Sequence, residues 1–99
     1  MIPKSIKLDK NKKILLISYD NEKNLILKSS FLRVSSPSAE NKHKIDGYSE
    51  KFQDVGIKEI KKVGNYAIRI VFDDGHSTGI YSWQYLFELG IKFQNLLDP

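Results

Sequence analysis

No cysteine occurs anywhere in the 99 residues. That absence removes disulfides, thiolate zinc sites, iron–sulfur ligation and cysteine nucleophiles together, and it fits a reducing compartment. Histidine is scarce, with only His43 and His76 present. A serine triad would have to join one of them to Ser35, Ser36, Ser38 or Ser77, and none of these serines lies in a nucleophile-elbow context. Arginine, the residue that reads bases and phosphates bidentately, is limited to Arg33 and Arg69. No glycine-rich loop runs from a strand into a helix, so there is no phosphate cradle. No segment approaches the ~20 apolar residues needed to span a membrane. The opening MIPKSIKLDKNKK has no apolar run of signal-peptide length, and the expected location is the cytoplasm.

What remains is ordinary globular material, 40% hydrophobic and 28% charged, which argues against a disordered tail. The length predicts one domain over residues 1–99, burying roughly 60–65% of the surface its unfolded chain exposes. The formal charge is +4, and Lys4, Lys7, Lys10, Lys12 and Lys13 crowd the N-terminus. Such a cluster can meet nucleic acid, but lysines along an exposed strand edge also prevent edge-to-edge pairing. Charge alone therefore names no partner.

Ile14 to Tyr19 is a short apolar run that reads as a buried strand, and Leu25 to Leu27 returns after the turn residues Asp20 to Asn24. Ser29 or Ser30 is placed to cap a short helix carrying Phe31, Leu32 and Val34, ended by Ser36-Pro37. Ser35 to Asp54 is polar and aperiodic, a surface loop. Lys58 to Val63 reads as another strand. Ile68, Ile70 and Phe72 then alternate with Ala67, Arg69 and Val71, which puts the first set on one face of a sheet.

Asp74-Gly75 predicts a two-residue type I′ hairpin turn to a strand over Ser77 to Ser82, with Asp73 facing His76, Ile68 facing Tyr81 and Arg69 facing Ile80. Ser82 is placed to cap a last helix whose Trp83, Leu86, Phe87 and Gly90 share one side, with Gly90 as its C-terminal cap. The segments ISYDNEKNLILKSSFL and IVFDDGHSTGIYSWQYL echo one another: strand, acidic turn, strand, serine, apolar helix. The expected fold is α+β, a mainly antiparallel sheet built from two hairpin–helix units with short helices packed on it.

The chemistry concentrates in FDDGHSTGIYSW. Asp73, Asp74 and His76 are types that ligate divalent metals, but side chains on a tight turn diverge, and further ligands would have to come from elsewhere. The turn accounts for each residue separately, since Asp74 and Gly75 tolerate its backbone. Tyr81, Trp83, Tyr85 and Phe87 could form an aromatic surface. Helical spacing assigns most of them to the core and leaves the aromatics off that stripe as binding candidates.

In FLRVSSPSAE and VGNYAIRIVFDDGHSTGIYSWQYL the sequence resembles the gamma-butyrobetaine hydroxylase-like N-terminal domains, a family of unknown function, over Ile14 to about Gly90. Such domains occur alone in bacteria, fused to P-loop ATPases implicated in iron–sulfur cluster assembly, and at the front of 2-oxoglutarate-dependent hydroxylases. The resemblance implies a small α+β sheet domain. In the hydroxylases it carries a structural zinc on three cysteines and a histidine, and those positions fall here on Ser36, Ser38, Asn41 and His76. Hydroxyls and an amide are poor zinc ligands, so no structural zinc and no cofactor are expected.

The oxidative chemistry belongs to a domain this sequence does not contain, so the resemblance implies no enzyme activity. It implies instead an accessory module working with a protein partner, for which a P-loop ATPase of iron–sulfur assembly is the candidate. The expected interaction residues are Arg33, Ser35, Pro37, Glu40, Asp73, Asp74 and His76. Two other readings stay open: weak metal or small-ligand binding at the His76 hairpin tip, and nucleic-acid binding through the N-terminal lysines.

Overall fold

A computed structural model describes residues 2–20, 22–37 and 52–97. Strands β1 (Ser5–Leu8), β2 (Ile14–Ser18) and β3 (Asn24–Lys28) lead into helix α1 (Ser29–Val34). Strands β4 (Ile57–Val63), β5 (Ala67–Phe72) and β6 (Gly79–Ser82) lead into helix α2 (Trp83–Leu97). The strands form two separate antiparallel sheets, ordered β1-β2-β3 and β4-β5-β6. The internal echo is therefore structural, and each unit carries one more strand than the hairpin–helix pattern displayed. β1 escaped notice because it is four residues long, sits at a sheet edge and places exposed Lys7 in its middle.

The core comes from the alternation. In β3, Leu25 and Leu27 are buried while Asn24, Ile26 and Lys28 are not. Leu15 and Ile17 join them from β2, and Ile68, Ile70, Phe72 and Tyr81 from the second sheet. Phe31, Leu32 and Val34 of α1 and Leu86, Leu89 and Phe93 of α2 complete the cluster. Each such side chain, fully buried, stabilises by roughly 1.5–3 kcal/mol. β2 is buried on one face only. Leu16 is exposed opposite exposed Ile26, so the apolar run is a one-sided strand with two apolar residues left outside.

Three local expectations resolve differently. Ser82 does cap α2, its Oγ accepting the Tyr85 N–H at 3.1 Å. At α1 neither serine caps: the N-cap is Lys28, with no side-chain cap bond. The helix follows β3 directly, the Ser29 N–H bonds back to the Lys13 carbonyl, and the Ser29 hydroxyl donates to the Val55 carbonyl at 2.6 Å. Gly90 does not end α2, which continues to Leu97. A Cβ there would lie 2.6 Å from Leu25 Cδ1, so the glycine lets α2 approach β3 closely. Among the described residues, no helix is long and apolar enough to cross a membrane.

Candidate functional site

The end of α1 and the tip of the β5–β6 hairpin meet, and most of the residues singled out in the sequence lie there. The turn is not type I′. Gly75 N–H donates to the Phe72 carbonyl at 3.2 Å and Phe72 N–H to the His76 carbonyl at 2.9 Å. Only Gly75 has positive φ (95°); Asp74 does not. This is a three-residue connection, a type I turn followed by a glycine bulge. Phe72, not Asp73, therefore stands across from His76. One further residue is inserted between His76 and Gly79, since Ile70 stands opposite Gly79, and from there the register is the expected one, with Ile68 opposite Tyr81 and Arg69 opposite Ile80.

The bulge re-aims each turn residue. Asp73 turns to the segment before β4, with its N–H to the Gly56 carbonyl and its Oδ1 on the Gly56 N–H, both at 3.0 Å. Asp74 Oδ2 accepts from Arg33 Nε at 2.8 Å, and its Oδ1 accepts the His76 N–H at 3.1 Å. Arg33 also lies over the Phe52 ring, 4.3 Å from its centroid. Ser36 Oγ and His76 Nε2 are 2.9 Å apart and hydrogen-bonded. Gly79 makes room for Ser36, because a Cβ there would collide with the Ser36 hydroxyl.

Burial raises the Asp74 carboxyl, but the His76 N–H and then Arg33 overcome it and hold the group below the usual carboxylate range. His76 is lowered by burial first and by Arg33 second, against the pull of Asp74. Burial and Arg33 thus favour the neutral imidazole over the charged one.

Two tyrosines of the second unit close the end of α1. Tyr81 OH donates to the Leu32 carbonyl and Tyr85 OH to the Ser35 carbonyl, each at 2.5 Å. Both oxygens lie at the helix C-terminus, where carbonyls run out of intrahelical donors. Ser35 and Ser36 are fully buried, whereas Pro37 is exposed. Ser35 Oγ has no hydrogen-bond partner among the described residues.

The Ser36–His76 contact has the spacing of a nucleophile and its base. Ser36 is 0% exposed, however, and both Asp74 oxygens are held by Arg33 and the His76 backbone, not directed at the imidazole. Ser36 and His76, two of the four positions matching the zinc site, do converge. The donor set they belong to, two serines, an asparagine and a histidine, does not fit zinc, and the Arg33 cation beside His76 disfavours a second positive charge. Ser38, Glu40, Asn41 and His43 lie outside the described residues, and no group of three or more metal-ligating side chains forms among those described.

Next to this latch runs an apolar groove of about 360 Å³ that sequence reasoning did not assemble. It is lined by Pro37, Tyr66, Ala67, Ile80, Ser82 and Tyr85. Tyr66 is 62% exposed and Ile80 44%. Pro37 was an expected interaction residue, and Tyr85 is an aromatic off the core stripe. Ile80 was detectable as the outward neighbour of inward Tyr81. The N-terminal lysines lie elsewhere: Lys4, Lys7, Lys10 and Lys12 are exposed along β1 and its turn, and Lys13 Nζ donates to the Asp54 carbonyl.

Two three-strand sheets, each feeding a helix and locked by tyrosines across the units, define a small α+β domain. The chain belongs to the family described as gamma-butyrobetaine hydroxylase-like, N-terminal, whose profile matches residues 6–87. It is similar to a crystal structure from Acidithiobacillus ferrooxidans ATCC 23270 of a DUF971-family protein of unknown function. The identity is 30%, the TM-score 0.75, and the match covers 89% of this chain and 91% of that one. It is also similar to two proteins solved by NMR in solution. One is 37% identical (TM-score 0.73, 98% of this chain and 74% of that one), the other 35% (TM-score 0.71, 97% and 77%). No curated protein matches the chain.

Proposed function

We propose that this domain is a non-catalytic interaction module that docks a protein partner at the face where the α1–hairpin latch borders the apolar groove. The observation that carries the reading is exposure. The latch turns Arg33, Asp74, Ser36 and His76 on one another, while Tyr66, Ile80 and Pro37 present apolar surface beside them to solvent. Polar groups already paired rigidify a surface, and exposed aromatic and aliphatic side chains on it supply binding energy. In this proposal the latch residues position the face and the groove makes the contact.

The partner we propose is a P-loop ATPase of iron–sulfur cluster assembly, a reading that rests on the company kept by domains of this family. Affinity capture from the native cell tests it, comparing wild type with Ile80→Glu and with Arg33→Glu/His76→Ala. The expected result is a co-purifying P-loop ATPase that Ile80→Glu loses while keeping a wild-type circular dichroism spectrum. Failure of wild type to retain any protein above a tag-only control would remove the adaptor reading.

A further inference from the structure

Building on that interaction reading, we infer that the groove takes an extended, acid-bearing segment of the partner, added as a further strand along β6. The reasoning starts from the ladder. Among the described residues, β6 ends the order β4-β5-β6. Trp83 N–H bonds to the Tyr66 carbonyl at 3.1 Å, and bonded and non-bonded pairs alternate along an antiparallel ladder. Stepping by two along the register makes Ile68/Tyr81 and Ile70/Gly79 bonded pairs as well. The N–H and C=O of Ile80 and the N–H of Ser82 therefore point away from β5, whereas the Ser82 carbonyl, at the N-cap of α2, takes the first helical bond. An edge with outward donors and acceptors beside an apolar groove is what strand addition requires.

The outer face supplies the charge preference. Lys61 pairs with Arg69, and Arg69 with Ile80, so one row across three strands reads Lys, Arg, Ile. Ion pairs among the described residues join Arg33 to Asp74 and Lys61 to Glu59, and none joins Arg69. A strand added to β6 lies two strand spacings from β5, roughly 10 Å, which arginine and glutamate side chains span together. Outer-face side chains recur every second residue, so the recognised pattern is an apolar residue opposite Ser82 and a glutamate opposite Ile80. A second copy of this chain would instead bring together two chains that each carry +4.

The test is an amide NMR titration of the full chain with acetyl-TVTETVT-amide, whose pattern reads the same in both directions, and with its lysine counterpart acetyl-TVTKTVT-amide. Shifts centred on Ile80 and Ser82 are expected. The lysine peptide should bind up to about fivefold more weakly, in line with one surface ion pair, and Arg69→Glu should reverse the preference. Equal binding of the two peptides, or shifts centred on the N-terminal lysines, would overturn the inference. So would β6 shifts that track protein concentration alone, which would identify a second copy as the occupant. If Ile80→Glu abolishes capture from cells but neither peptide binds, the acidic-strand inference fails and the interaction reading stands. If capture fails too, both fall.

Discussion

Replacing Tyr81 by phenylalanine removes one of the bonds that tie the two halves of this domain together. Leu32 lies in the last turn of α1, and the N–H four residues on, that of Ser36, turns instead to the Arg33 carbonyl. The Tyr81 hydroxyl supplies the missing donor from a side chain that is fully buried. Removing it orphans a carbonyl that water cannot reach, a loss of about 1–3 kcal/mol. For a domain of this size that corresponds to a fall in Tm of about 4–20 °C. Tyr85→Phe removes the companion bond, but the Tyr85 side chain is only half-buried, so water replaces much of the loss and its penalty should be smaller.

The phenol also makes a pH prediction. Burial pushes Tyr81 well above the ordinary tyrosine range. Its stabilisation is thus fully present below the unfolded value near 10.0 and is lost as pH rises above it, because only the unfolded chain releases the proton. Urea denaturation across alkaline pH should show wild type losing stability more steeply than Tyr81→Phe. A variant with an unchanged Tm, or one less destabilised than Tyr85→Phe, would refute the role assigned to this hydroxyl.

Two further outcomes follow from the latch and from the helix contact. His76 is held below its ordinary value of 6.5, so the folded imidazole resists a proton that the unfolded chain accepts. Its contribution is present above that value and is lost as pH falls, and His76→Gln should flatten the decline in urea stability between about pH 7 and pH 5. A proton-titrated His76 midpoint above 6.5 would contradict the burial and Arg33 argument. Gly90→Ala gains roughly 1 kcal/mol of helix propensity and forces a Cβ to within 2.6 Å of Leu25 Cδ1. With overpacking costing about 1–3 kcal/mol, thermal denaturation should show a net loss of up to about 2 kcal/mol, and Gly90→Ala should cost less when introduced into a Leu25→Ala background. A Gly90→Ala protein more stable than wild type would show that the close approach is not required.

Short apolar runs bounded by turn residues were enough to show β2, β3 and β4, and alternation showed β5 and placed Ile68, Ile70 and Phe72 inward, because these signals need only neighbouring residues. Residue type placed Ser82 at the head of α2, and the Asp-Gly turn signal gave the pairing of Ile68 with Tyr81. Local signals failed wherever a distant partner decided the outcome. Ser29 looked like a cap until the Val55 carbonyl claimed its hydroxyl. Gly90 looked like a terminus until Leu25 appeared beneath it. Asp74-Gly75 fits two kinds of hairpin, and the bonds of Asp73 to Gly56 and of Arg33 to Asp74 go with the bulged one.

The candidate site divides the same way. Residue types and the family resemblance brought Arg33, Ser36, Asp74 and His76 to attention, but nothing in the sequence said that they bind each other. Their separations, 40 residues from Ser36 to His76 and 41 from Arg33 to Asp74, are set by how the second unit packs against the first. The groove is a still more tertiary object, since Pro37 follows one helix and Tyr85 opens the other. Sequence fixes which side chains a strand turns outward; only the docking of the two units decides which of those faces another, and which is left for a partner.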